Sequence, residues 1–189
     1  MKTINENTVI KGNASKTVVI FDLDDTLVIS DAKIRVLDSK TGDEIKALTP
    51  AEFNTFEKKP KHVLSFDDFD NPTILAQAKI IHSIFRQLKK FYKSKIPVSI
   101  VTARSNQEMV RNFFLTKGID IHEDLCIAVN DPKYPYTGAI EERKQQAMLE
   151  IIDKGFQYVV FFDDHAGNLR EAKKIEKLRK GVKIMTVKV

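Results

Sequence analysis

Three acids, Asp22, Asp24 and Asp25, follow directly on the apolar run Val18-Val19-Ile20-Phe21. Carboxylates crowded at the end of a buried segment are costly, because like charges repel and burial disfavours the ionised form. A divalent cation is the usual remedy, and hard carboxylate oxygens suit magnesium. A second such place comes late in the chain, where Tyr158-Val159-Val160-Phe161-Phe162 leads into Asp163-Asp164. Two buried strands that each end in acids read as two walls of one metal-dependent active site.

The elements around them must hold those walls together. Five short apolar segments recur, Thr17–Phe21, Val98–Val101, Leu125–Val129, Tyr158–Phe162 and Val182–Val187, the first of them β-branched and without alternation, as expected of a strand buried on both faces. Helical patterns separate the later ones. Ser105 or Asn106 can cap a helix with Met109, Val110, Phe113 and Phe114 inward and Gly118 at its end. Ile140–Lys154 is a second helix stopped by Gly155, and Leu169–Lys180 a third stopped by Gly181. The alternation predicts an α/β fold with a Rossmann-like, doubly wound, mostly parallel five-stranded sheet. Sites in such sheets form beyond the carboxyl ends of the strands, where both acidic groups fall.

The first crossover is longer than one helix requires. Ile34–Leu37 and Ile45–Leu48 flank the turn-rich Asp38-Ser39-Lys40-Thr41-Gly42-Asp43 and predict a β-hairpin. Thr49-Pro50-Ala51-Glu52 has the form of a capping box with proline at the first helical position. A long helix from about Pro72 to Lys93 should follow. The expectation is a single domain, 1–189, in which residues 31–71 form a small insertion lying over the site as a minimal cap.

Composition narrows the function classes. The 189 residues carry 31 basic and 26 acidic side chains, a formal charge of +5 that favours anionic substrates without indicating nucleic-acid binding. The single cysteine, Cys126, excludes an intramolecular disulfide. The polar start, Met1 to Lys16, has no apolar leader core, and no stretch is long enough to span a bilayer, so the expected location is cytoplasmic with no membrane partner. No Gly-rich Walker loop is present, which argues against a kinase.

Taken in order, these residues resemble the haloacid dehalogenase (HAD) superfamily of aspartyl phosphotransferases. The family's Asp-x-Asp-x-Thr motif is matched by Asp22-Leu23-Asp24-Asp25-Thr26, its strand ending in Thr or Ser by Ser99-Ile100-Val101-Thr102, and its paired acids by Asp163-Asp164. The resemblance implies that Asp22 attacks phosphorus and forms an aspartyl-phosphate, splitting hydrolysis into two steps. It implies that Asp24 protonates the leaving oxygen and then deprotonates the incoming water. Magnesium would be held by Asp22, the Asp24 carbonyl and Asp163, with Asp164 supporting the shell. Thr102 would donate to a phosphate oxygen. The family's lysine is matched best by Lys144, with Arg143 and Lys133 as competitors. Asp25 is a tolerant position, His165 a substrate contact or a bystander, and Asn168 a residue securing the loop into the last helix.

The activity implied is a magnesium-dependent phosphomonoesterase acting on a phosphorylated small molecule or a phosphorylated nucleic-acid end. The small insertion favours an open site, which keeps a nucleic-acid end-processing phosphatase as the alternative. The basic final helix, with Lys173, Lys174, Lys177, Arg179 and Lys180, could meet phosphates or be a solvated face. A catalytically silent binding module on the same fold is the other alternative, and both carboxylates of the first motif speak against it.

Overall fold

The computed structural model describes residues 14–53 and 55–189. Most of the polar start of the chain therefore lies outside the described residues. The chain divides into two compact units, one of residues 1–29 and 80–189, the other Ser30–Lys79.

The first unit is built on β1 (Thr17–Phe21), whose five residues are all buried. Four of them are β-branched, and a strand covered on both faces has no need of polar alternation. β1 continues through a tight loop into the two-residue β2 (Val28–Ile29). The second unit follows, with β3 (Ile34–Asp38), β4 (Glu44–Leu48), α1 (Pro50–Phe53), β5 (His62–Ser65) and α2 (Pro72–Gln77), and the chain re-enters through the short β6 (Lys79–Ile80) and α3 (His82–Lys93). Then follow β7 (Val98–Thr102), α4 (Gln107–Thr116), β8 (Cys126–Ala128), α5 (Ile140–Ile152), β9 (Tyr158–Asp163), α6 (Ala166–Lys173), α7 (Ile175–Leu178) and β10 (Lys183–Lys188). The sheet has the order β10-β9-β1-β7-β8 and every pairing in it is parallel. The fold is α/β, with a five-stranded all-parallel sheet flanked by helices and compatible with a Rossmann-like arrangement.

Strand order reverses at β1: the chain builds β7 and β8 on one side, then returns to lay β9 and β10 on the other. Such a switch point leaves a crevice beyond the strand ends. Phe21 and Phe162, the residues preceding the two acidic groups, stack at 4.6 Å and fix the adjacent ends of β1 and β9. Beneath them Val18, Ile20, Met148, Ile151 and Phe161 belong to one buried cluster. Asn106 caps α4 by accepting from the Met109 amide at 2.9 Å, as its sequence position predicts. Gly155, at φ 111°, ends the run after α5 in a conformation that a side chain would strain.

Two helices differ from their expected extents. The predicted run Pro72–Lys93 is broken: α2 (Pro72–Gln77) ends where Ala78 turns extended, at ψ 138°. The Ile81 amide donates to the Leu27 carbonyl at 2.9 Å, so a tertiary hydrogen bond replaces helical continuation. The predicted Leu169–Lys180 helix starts earlier, at Ala166, and is interrupted at Lys174 before the short α7. It stops at Arg179, which is extended and bonds Asp153 through Nε and Nη2 at 2.8 Å.

In the second unit, β3 (Ile34–Asp38) and β4 (Glu44–Leu48) form the expected antiparallel hairpin, with a bulge between Val36 and Leu37. A third strand, β5 (His62–Ser65), pairs with β3 on its other side. Thr49 and Glu52 cap α1 (Pro50–Phe53) reciprocally, the Glu52 amide donating to Thr49 Oγ1 at 3.2 Å and the Thr49 amide to Glu52 Oε2 at 2.8 Å. Ile34, Val36 and Leu48 make a small core with Phe53, Phe56, Leu64 and Phe69 against it. The unit is wider than residues 31–71, because the break at Ala78 leaves α2 with it. Among the described residues, no helix is long and apolar enough to cross a membrane.

Candidate active site

Asp22 is the first residue past β1, and its amide donates to the Phe162 carbonyl at 2.9 Å, so it continues the sheet for one more step. Its side chain is buried. Lys144, one turn into α5, is buried as well and reaches both strand ends. Its Nζ lies 2.8 Å from Asp22 Oδ1 and 2.9 Å from Asp163 Oδ2. Asp163, the last residue of β9, is fully enclosed and heavily bonded. Its Oδ1 accepts from the His165 amide at 2.8 Å, both oxygens accept from Asn168 Nδ2 at 2.9 Å, and Oδ2 accepts from Lys144.

Thr26 ties the two acidic groups together. Its hydroxyl accepts from the Asp164 amide at 3.1 Å and donates to Asp22 Oδ2 at 3.4 Å. The loop that carries it is sharply wound: Asp25 sits at φ 57°, in the left-handed region, and its amide donates to the Val28 carbonyl at 2.8 Å. Aspartate tolerates that conformation better than most residues, which accounts for its use at this bend.

Asp24 faces a partner that motif reading missed. Arg104, two residues beyond β7 and only 2 % exposed, donates to Asp24 through Nε at 2.9 Å and Nη2 at 2.7 Å, one bond to each oxygen. The sequence signal was a lone arginine two positions after the strand-terminal Thr102, where a buried cation demands an anion. Thr102 is also buried, and its hydroxyl accepts from the Arg104 amide at 3.3 Å. Asn130 braces the same loop, donating from Nδ2 to the Ala103 carbonyl at 2.6 Å.

Of the three candidate bases, the structure brings only Lys144 to the acids. Arg143 instead donates from Nη1 to Asn130 Oδ1 at 2.7 Å and from Nε to the Gly138 carbonyl at 2.9 Å. Lys133 lies over the Tyr134 ring and lines a cleft of about 330 Å³ with Gln107, Arg111 and Glu123, away from the acids. His165 contributes its backbone, and its ring, half in solvent, is 3.8 Å from Glu141. Asn168 does more than secure a loop, since its amide orients Asp163.

The electrostatics show an unbalanced site. Burial pushes the Asp22 carboxyl up to about 7, with repulsion from Asp163 adding to it and Lys144 opposing it. Asp164 is raised by burial and then by Asp163. Burial works against the Lys144 charge, yet Asp22 and Asp163 outweigh it and hold its pKa up. Asp22, Asp163 and Asp164 offer oxygens within 4.8 Å of one another. Three carboxylates against one ammonium leave surplus negative charge, and Asn168 Oδ1 is a buried acceptor with no hydrogen-bond partner among the described residues. An all-oxygen donor set with that surplus fits a hard divalent cation. Cys126, by contrast, is buried with its thiol raised to about 12, and is chemically inert.

No family model and no curated protein matches this chain.

Proposed function

We propose that the chain is a magnesium-dependent phosphomonoesterase of the HAD type. The single observation that carries this reading is the Lys144 bridge between Asp22 and Asp163, at the carboxyl ends of adjacent parallel strands and beside the switch point of the sheet. It holds Asp22, Lys144 and Asp163 within one hydrogen-bonded cluster, which supports reading them as nucleophile, cation and metal ligand.

In this reading an Asp22 oxygen forms a bond to phosphorus as the ester oxygen leaves, and water then attacks phosphorus to free Asp22 and inorganic phosphate. Lys144 orients Asp22 and offsets the charge of the incoming phosphate. Asp22, the Asp24 carbonyl and Asp163 would hold magnesium, with Asp164 in support. When bound, the ion neutralises charge so that an anionic carboxylate can approach an anionic phosphate. Thr102 would donate to a phosphate oxygen by turning its hydroxyl away from the loop.

Asp24 would exchange protons with the leaving oxygen and the incoming water. Its two bonds to Arg104 fix the position and plane of the carboxylate for both tasks. The first task requires Arg104 to release one Asp24 oxygen.

The test is release of phosphate from an aryl phosphate. Wild-type protein with magnesium should turn over, and EDTA should stop it. Turnover that is unaffected by EDTA would remove the metal from the proposal, and none under any condition would favour a silent binding module.

A further inference from the structure

We propose that the exposed face of α3 binds the phosphodiester backbone of a nucleic-acid strand. Between Asp70 and Glu108 the chain has no acidic residue and seven basic ones. Most of these lie on α3 or just past it. Arg86, Lys89 and Lys93 are exposed and fall on one stripe, because positions three and seven apart share a helix face. Lys95 extends the basic run beyond the helix end.

Among the described residues, no carboxylate lies within ion-pair distance of Arg86, Lys89, Lys93 or Lys95. Arg86 Nε bonds the His82 carbonyl and Lys89 lies over the Phe85 ring, both on the same helix. The other basic helix behaves differently. Lys173 pairs with Glu176 at 2.7 Å, Lys174 with Glu171 at 2.5 Å and Arg179 with Asp153 at 2.8 Å. Three of the five cations of that C-terminal segment are paired within the fold, whereas Arg86, Lys89 and Lys93 leave their charge to a partner.

The shape of the stripe selects the partner. The apolar side of α3, with Ile84, Phe85, Leu88 and Phe91, is buried in the protein core, so the helix cannot seat itself in a bilayer. The basic side has no exposed aromatic or aliphatic anchor of the kind protein interfaces use. Arg86 to Lys93 spans about 10 Å of helix, room for about three phosphates of one strand. Contacts of this kind hold the backbone without reading bases.

The placement also fits the site. α3 precedes β7 by a short loop and packs against it, so it runs antiparallel to the strand. Its first turn is therefore at the end of the sheet where Asp22 lies, and a strand along the stripe heads toward the acids. That the strand's phosphorylated end is the substrate rests on the phosphatase reading; the binding surface does not.

The test is fluorescence anisotropy of a short labelled single-stranded oligonucleotide with the full chain, titrated between about 50 and 200 mM salt. The variant R86Q/K89Q/K93Q should bind roughly tenfold to a hundredfold more weakly, and its log–log salt slope should fall by about 2, near 0.7 for each cation lost. K58Q/K59Q/K61Q removes as much charge from the second unit and should bind like wild type. Unchanged melting and unchanged aryl-phosphate turnover show that the α3 variant is folded, while melting alone serves if the protein is no phosphatase. The proposal is overturned if wild type does not bind the oligonucleotide, if it binds only anionic phosphatidylserine vesicles, or if both triple variants lose affinity equally.

Discussion

Arg104 and Asp24, 80 positions apart in sequence, form a two-bond ion pair at 2.9 and 2.7 Å with the guanidinium buried. Bidentate geometry of this kind fixes both the position and the plane of the carboxylate. The pair joins the loop after β1 to the loop after β7, across the middle of the sheet.

Removing Arg104 takes away the two bonds that hold Asp24, whose side chain is 22 % exposed. Arg104→Gln should lower stability by about 1–3 kcal/mol, the range for losing hydrogen bonds to a charged group. Its phosphatase loss should be greater for alkyl than for aryl phosphates, because only the alkyl leaving group depends on a well-placed proton donor. Thermal denaturation and paired turnover assays check both. Equal losses on the two substrates would limit Arg104 to a structural role.

Asp24→Asn should reduce alkyl-phosphate turnover by about 10²–10⁴-fold, the range usual for general acid–base catalysis. The reduction should shrink for an aryl phosphate. Steady-state kcat on both substrates measures it.

With magnesium held as proposed, the raised Asp22 carboxyl should make its binding pH-dependent. Its pKa near 7 lies above the ordinary value of 3.8, so the folded protein favours the protonated form. Without metal, this group's contribution to stability is unimpaired below about pH 4 and declines as pH rises toward 7. A cation must displace that proton, so magnesium should raise Tm more at pH 8 than at pH 5.5. The difference should vanish in Asp22→Asn. Melting curves with magnesium and with EDTA at the two pH values supply the comparison.

Lys144→Met should remove the cation that offsets Asp22 and Asp163. Turnover should collapse, and metal-free protein should melt at lower temperature at pH 8 than wild type does. An unchanged kcat would detach Lys144 from the chemistry.

Much of this arrangement was legible in the sequence, for identifiable reasons. β1, β7 and β9 are short apolar runs with no competing pattern, and Asp22, Thr102 and Asp163 follow from where those runs stop. Asn106 and Thr49 announced their helices through capping chemistry that is local. What sequence could not supply was long-range. The helix break after Gln77 is imposed by the Ile81–Leu27 hydrogen bond, with no glycine or proline to mark it. Arg104 lacked a motif, and its partner lies in the loop after a different strand. Thr26 stood in the first motif without a task until its hydroxyl was found between Asp22 and the Asp164 amide. The C-terminal basic helix looked available because its acidic partners, Asp153 among them, come partly from other elements.

The central claim is that Asp22 is the nucleophile. The most direct measurement is acid-quenched mass spectrometry of the peptide containing Asp22 during aryl-phosphate turnover with magnesium. The account predicts a peptide heavier by one phosphoryl group in wild type, with the mass fragmented to Asp22, and neither adduct nor turnover in Asp22→Asn. Sustained phosphate release by folded Asp22→Asn would contradict it.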